Sequence, residues 1–207
     1  MSGKFITFEG GEGSGKTTVA KMIEEALSQD GYQVLLTREP GGVKIAEEIR
    51  NIIVDEKNSC IDPKTEALLF AASRRQHLIE KVKPVLDHGG IVICDRFIDS
   101  SLVYQGIGRN LGIDKVYQMN LFATEGIMPD KTFFFNIKPE NALERLKTDE
   151  SREVNRLDLE SLEFHQKVYE GYCLIAQRYK DRIVSIDASG SIKEVFKTIY
   201  QQIKLEL

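Results

Sequence analysis

The chain has 207 residues, of which 42% are hydrophobic and 29% charged, with a formal net charge of −4. Such a length and balance describe a soluble globular protein with one large core, and the acidic excess excludes a dedicated nucleic-acid binder, which shows a basic surface. Cys60, Cys94 and Cys173 are far apart and form no C-x-x-C, so neither a disulfide framework nor a zinc site is expected. No run of eighteen apolar residues and no leader-like start is present, which makes a cytoplasmic protein without a membrane partner the expectation.

In chain order, the alternating Phe5, Ile6 and Phe8 read as a strand that feeds directly into Gly10-Gly11-Glu12-Gly13-Ser14-Gly15-Lys16-Thr17. That run matches G-x-x-x-x-G-K-[ST], a phosphate-binding loop. Glycines reach positive φ, so successive N–H groups can turn inward around phosphate oxygens. Lys16 is then expected to reach the β- and γ-phosphates, and the Thr17 hydroxyl to ligate Mg²⁺. Val19, Met22, Ile23, Ala26 and Leu27 form one apolar stripe of a helix ending near Gly31. Its N-terminal dipole favours an anion at the loop.

Residues 34–37 read as a second strand, ending in Arg38-Glu39-Pro40-Gly41-Gly42. A short helix carries Ile45, Ile49, Ile52 and Ile53. A longer one, capped by Asp62 and opened by Pro63, is expected to run toward Leu86, with Pro84 kinking its end. Residues 91–94 are a buried strand that delivers Asp95 and Arg96. Helices from about Ser100 and over 114–125, a strand over 132–137 and a helix opened by Pro139 follow. The pattern stops in KTDESREVNRLD, residues 147–158, and resumes with a long helix through Tyr172, a strand over 182–186 and a last helix.

Strands alternating with helices predict an α/β fold, a doubly wound five-stranded parallel sheet with ligands at the strands' C-terminal ends. One domain over 1–207 is expected, with 147–158 as a short lid within it. No N-K-x-D guanine reader is present, and Asp87-His88-Gly89-Gly90 precedes its strand, so it reads as a turn instead of a GTPase switch. Asp95 is placed to hold Mg²⁺ with Thr17. Arg96, with Arg38, Arg50, Arg74 and Arg75, points to a second anionic ligand. A P-loop kinase for another nucleotide acceptor, and a nucleotide-dependent binding switch, remain open at this level.

The motifs FEGGEGSGKTT, TREPGG, LLFAASRRQHL, DRFIDSSLVYQG and NRLD, in this order over nearly the full length, resemble bacterial thymidylate kinase, a P-loop nucleoside monophosphate kinase family. The resemblance implies transfer of the ATP γ-phosphoryl group to dTMP, and a P-loop NTP hydrolase fold. It implies thymine against Phe70, with Arg74 and Gln105 at its polar edge and Ser101 nearby. It sets Glu12 at the sugar 3′-hydroxyl, Tyr104 at the 2′ position, and Arg38, Arg50 and Arg96 at the dTMP phosphate with Glu39 orienting them. Where one branch of the family carries a loop arginine this chain has Gly13, so Arg152 and Arg156 of the lid are expected to act with Lys16 and Arg96 in catalysis. His77, His88 and His165 are expected to have no catalytic part. A homodimer packed through helices is also implied, the segment holding Ser100 and Gln105 among them. The 188–191 loop is the positional guess for adenine.

Overall fold

The structure is a computed structural model, and it describes residues 3–147, 156, 157 and 160–207. Five strands, β1 (Lys4–Glu9), β2 (Val34–Arg38), β3 (Ile91–Asp95), β4 (Lys131–Asn136) and β5 (Ile183–Asp187), form one sheet in the order β2-β3-β1-β4-β5. Every pairing is parallel. The α/β architecture expected from the alternation of strands and helices is therefore the one found.

Side chains one apart on a strand point to opposite faces, and both faces are covered. On one, Phe5, Val92, Cys94 and Phe134 meet Leu78, Phe97, Leu102 and Tyr172. On the other, Ile6, Phe8, Ile93, Phe133 and Phe135 meet the stripes of α1 (Lys16–Gln29) and α9 (Ile192–Glu206) through Val19, Ile23, Leu27, Val195 and Ile199. A sheet buried on both sides explains why its strands read as nearly continuous apolar runs. The order also matters for function. It sets the ends of β1, β2 and β3 side by side, with Asp95 in register with both Arg38 and Phe8.

Two boundaries differ from the sequence reading. After α2 (Lys44–Val54), α3 (Pro63–His77) is capped as expected, the Asp62 carboxylate accepting from the Lys64 and Thr65 amides. It then passes through a wide-turn π stretch over Leu78–Val82 before α4 (Lys83–Asp87). Pro84 cannot donate to the carbonyl one turn earlier, and an abnormal turn just before a proline relieves that missing bond. The next helix begins earlier than expected, as α5 (Ile98–Ser101), and widens into a second π stretch, Leu102–Gly108. Beyond it lie α6 (Ile113–Thr124), α7 (Pro139–Lys147) and α8 (Leu162–Arg178). Of the expected lid, only residues 147, 156 and 157 are among those described; Arg152 lies outside them.

Candidate active site

β1 ends where the glycine run begins, and the loop takes its shape from backbone that side chains rarely adopt. Gly10 has φ 146°, and a Cβ there would lie 3.0 Å from the Phe135 carbonyl oxygen and 3.2 Å from Ser14 Oγ. Gly13 and Gly15 follow at 71° and 90°. Lys16 folds back over this loop, its buried Nζ donating to the Gly11 carbonyl at 2.8 Å and Ser14 Oγ at 3.1 Å. Burial, then the Arg96 cation, bring its pKa down to about 8. The loop thus holds a cation at real desolvation cost, which an arriving phosphate would relieve.

At the end of β3 the Thr17 hydroxyl donates to Asp95 Oδ2 at 2.5 Å. Asp95 Oδ1 is buried with no hydrogen-bond partner among the described residues. Arg96 then turns the chain at φ 71°, a conformation costly for a side chain that bears Cβ. The turn is held by Glu9, the residue just before the loop. Its carboxylate accepts from the Phe97 amide (2.8 Å), the Ser100 amide (3.2 Å), Ser100 Oγ (2.6 Å) and Tyr172 OH (3.0 Å). So fixed, the Arg96 guanidinium donates to Glu12 Oε1 at 2.5 Å and the Gly10 carbonyl at 3.0 Å, and lies 5.2 Å from the Tyr104 ring centroid. One cation therefore joins the phosphate loop to what lies beside it.

What lies beside it is a cavity of about 590 Å³, a size suited to a small-molecule ligand. Glu12, Arg38, Glu39, Arg50, Phe70, Arg74, Arg96, Ser101, Tyr104 and Gln105 all line it. Phe70 is half-buried at this wall, not sealed in the core.

The arginines divide by role. Arg38 and Arg50 share Glu47, at 2.9 and 4.0 Å, and Arg38 keeps about half its side chain exposed (47%). Arg74, in contrast, is 2% exposed. It donates through Nε to Glu39 (2.7 Å), through Nη1 to Ser101 (3.0 Å) and Asn120, and through Nη2 to the Phe97 carbonyl (2.9 Å). A guanidinium has five donor hydrogens, so Arg74 is mainly a strut between β2, α3 and α6. Glu39 also contacts His77 Nδ1 at 2.9 Å, and His77 Nε2 reaches Thr37 Oγ1, so this buried histidine is a structural bridge. Arg75 departs from the expected anion cluster: it faces α6, where it pairs with Glu125 and reaches the Ala123 carbonyl. Adjacent helical residues point about 100° apart, so Arg74 and Arg75 cannot share one face.

Arg156 also departs from expectation. Its side chain is buried against α3, Nη2 donating to Glu66 Oε2 at 2.7 Å and Nε to the Ile53 carbonyl at 2.9 Å. Its neighbour Leu157 lines the cavity. The 188–191 loop is braced by Arg145, which donates to the carbonyls of Ala188, Ser189 and Gly190, while Ile192 abuts Gly15.

A family model described as thymidylate kinase matches residues 8–199. The chain is 56% identical over 196 residues to a thymidylate kinase of Geobacillus sp. (strain WCH70), covering 95% of this chain and 93% of that one. It is 53% identical over 197 residues to a thymidylate kinase of Clostridium novyi (strain NT), covering 95% and 96%. The crystal structure of thymidylate kinase from Ehrlichia chaffeensis superposes with a TM-score of 0.81 at 32% identity, covering 98% of this chain and all of that one. The chain belongs to the thymidylate kinase family.

A thymidylate kinase uses ATP and works with a divalent metal. The residues present fit such an ion: Asp95 offers a buried oxygen, Oδ1, with no hydrogen-bond partner among the described residues, while its Oδ2 accepts from the Thr17 hydroxyl. No cluster of three or more His, Cys, Asp or Glu suited to a metal occurs among the described residues. Among the described residues no helix is long and apolar enough to cross a membrane. No role for Glu9, Glu66, Asn120 or Tyr172 follows from the motifs, although Glu9 lies within FEGGEGSGKTT. Glu9 alone leaves a signal, a carboxylate at the end of a mostly apolar strand.

Proposed function

We propose that this chain transfers the γ-phosphoryl group of ATP to dTMP, giving dTDP and ADP, within the cavity that opens beside the phosphate loop. The observation that carries this reading is the lining of that cavity: an aromatic wall, a polar edge and several arginines meet the loop at the Arg96–Glu12 pair. A dTMP phosphate oxygen forms the new bond to the γ-phosphorus as the bond to the β,γ-bridging oxygen breaks, and ADP leaves with that oxygen. A phosphate monoester with a second pKa near ~6 is already anionic at pH 7, so no general base is needed. The work left to the protein is alignment and charge.

In this reading the loop amides and Lys16 hold the ATP phosphates. Arg96, Arg38 and Arg50 hold the acceptor phosphate, and Glu39 acts by bracing Arg74. Phe70 stacks on thymine, with Arg74, Ser101 and Gln105 at its edge. Glu12 accepts from the 3′-hydroxyl, and Tyr104, 3.4 Å from Glu12, crowds the 2′ position. Mg²⁺, with Thr17 and Asp95 as its protein ligands, supplies positive charge to the β- and γ-phosphates when bound. Incubation with γ-labelled ATP and dTMP is expected to put the label in the β-phosphate of dTDP. Label released mainly as inorganic phosphate would contradict the reading.

The lid reading now rests on Arg152. Arg152→Ala is expected to lower kcat at least tenfold, about 1.4 kcal/mol of barrier. Arg156→Ala is expected to act first on thermal stability, because it strands part of the buried Glu66 charge. Stopped-flow turnover and melting curves of both variants separate the two roles. Equal kcat losses without destabilisation would return Arg156 to the phosphates.

A cytoplasmic homodimer completes the proposal. Most of the Ser100 to Gln105 segment is buried within the protomer, which favours another face. Large exposed apolar side chains lie instead on α3 and α6, Leu68 at 59% and Phe122 at 89%. Leu68→Glu with Phe122→Glu is expected to give a monomer by sedimentation velocity. An unchanged dimer would remove this face from consideration.

A further inference from the structure

Glu66 has no place in the reaction as written, yet it is almost fully buried (1%) and touches the acceptor cavity's wall from behind. It stands on α3 one turn before Phe70, so both belong to one helix face. Its Oε1 accepts from Gln105 Nε2 at 3.0 Å and from Arg109 Nε at 3.3 Å. Its Oε2 accepts from Arg156 Nη2 at 2.7 Å and from Arg109 Nη2 at 3.3 Å. Arg109 is itself balanced by Glu160 at 2.5 Å. Two carboxylates thus meet two guanidiniums, so the charge is compensated locally. Burial pushes the Glu66 pKa up, but the bonds from Gln105 and Arg156 and the charge of Arg109 outweigh it, and the net shift is downward. The group is a carboxylate at neutral pH, and a carboxylate only accepts.

That last property constrains Gln105. A glutamine amide has a donor end and an acceptor end of nearly the same shape, and a free one can turn to suit its ligand. The pyrimidines exploit this ambiguity. Along one edge, thymine presents a donor at N3 and an acceptor at O4; cytosine presents an acceptor at N3 and a donor at N4. An amide able to turn over fits both. With Nε2 committed to Glu66, turning it would set its carbonyl oxygen against a buried carboxylate, breaking a charge-assisted bond and adding repulsion. The cavity therefore meets Gln105 in one orientation.

We infer that Glu66 is a positioning residue for base selection: by locking the Gln105 amide through the Nε2–Oε1 bond, it makes the site favour an imide base, such as thymine, over an amino-pyrimidine, such as cytosine. This rests on the reading that Gln105 faces the acceptor base. Arg156 and Arg109 keep the locking group charged and in place, and the Arg156–Glu66 bond joins α3 to the chain that carries Leu157 to the cavity wall. Discrimination is then a property of a buried carboxylate the base never touches, since leaving a site's polar group mispaired is what rejects a near-isostere.

The test compares kcat/KM for dTMP and dCMP, with ATP saturating, in the wild type, Glu66→Gln and Glu66→Asp. Glu66→Gln can accept or donate toward Gln105, so the lock is lost. The expected result is at least a tenfold fall in the dTMP:dCMP ratio, mostly through KM for dTMP, with KM for ATP within twofold of wild type. A lower melting temperature with an unchanged ratio would mean that Glu66 only supports the fold, and would overturn the inference. Glu66→Asp keeps the charge but shortens the reach, and is expected to lower the ratio less. It serves if the amide variant does not fold, and a wild-type ratio in that variant overturns the inference equally. Gln105→Leu separates the layers: unchanged KM for dTMP there would refute Gln105 as a base contact, while a raised KM with an unaffected Glu66→Gln ratio would refute the lock alone.

Discussion

Arg96→Ala is expected to lower kcat/KM for dTMP by about three orders of magnitude, ~4 kcal/mol of transition-state stabilisation. Two effects combine. The guanidinium is the cation shared by the phosphate loop and the acceptor cavity, reaching Gly10 and Glu12 on one side and Ser100 and Tyr172 on the other. Charge aimed from a dry, fixed frame at a transferring phosphoryl group is usually a large catalytic contribution. Removing the cation also takes away an ion-pair contact of the largely buried Glu12 carboxylate, 19% exposed, so that anion would repel an incoming phosphate more strongly. Arg96→Lys keeps the charge but not the planar fork, and at least a tenfold loss is expected from it as well. Steady-state kinetics with dTMP varied, on variants whose melting curves show them folded, reads both. Losses under threefold in the alanine variant would remove Arg96 from the reaction.

Glu9→Gln is expected to change how stability depends on pH. Burial and the neighbouring Asp99 carboxylate raise the Glu9 pKa from the ordinary 4.5 to about 7, against the opposing pull of Ser100 and Arg96. Between those values the folded protein keeps a proton that the unfolded chain has released. Stability supplied by Glu9 is therefore complete below about 4.5, falls as pH rises through the window, and is gone above about 7. Each tenfold difference in proton affinity is worth about 1.4 kcal/mol, so the loss is a few kcal/mol at most. Urea unfolding at pH 5 and pH 8 should show the wild type weaker at pH 8, with much of that difference absent in Glu9→Gln. The same variant should lose about tenfold in kcat/KM, roughly 1.4 kcal/mol, because the carboxylate holds the turn that aims Arg96. A wild-type pH slope in the variant would show that Glu9 is ionised throughout.

These two carboxyl and guanidinium groups also mark where sequence reading stops. Local pattern found the loop, the strand ends and the caps, because a glycine run, an apolar alternation or Asp62 before Pro63 each acts within a few residues. Family motifs then named side chains that the fold gathers around one cavity, although Phe70 and Gln105 are 35 positions apart. What escaped was partnership. Whether Arg74 faces a ligand or braces Glu39, Ser101 and Asn120 depends on three distant elements, and its residue type is the same in either case. The resemblance places Arg156 with the phosphates, whereas its carboxylate partner, ninety residues earlier, leaves no mark in the local pattern. The packing of α6 and α8 over Leu102–Gly108 is equally invisible to local pattern.

The loop and the neighbouring cavity, joined by Arg96, are proposed to form one site for phosphoryl transfer to dTMP. The most direct test is kcat/KM for ADP release with dTMP, dUMP, dCMP and AMP compared side by side. dTMP is expected to be the preferred acceptor, with ADP release that depends on its presence. Preference for any other acceptor, or ADP release at the same rate with none, would contradict it.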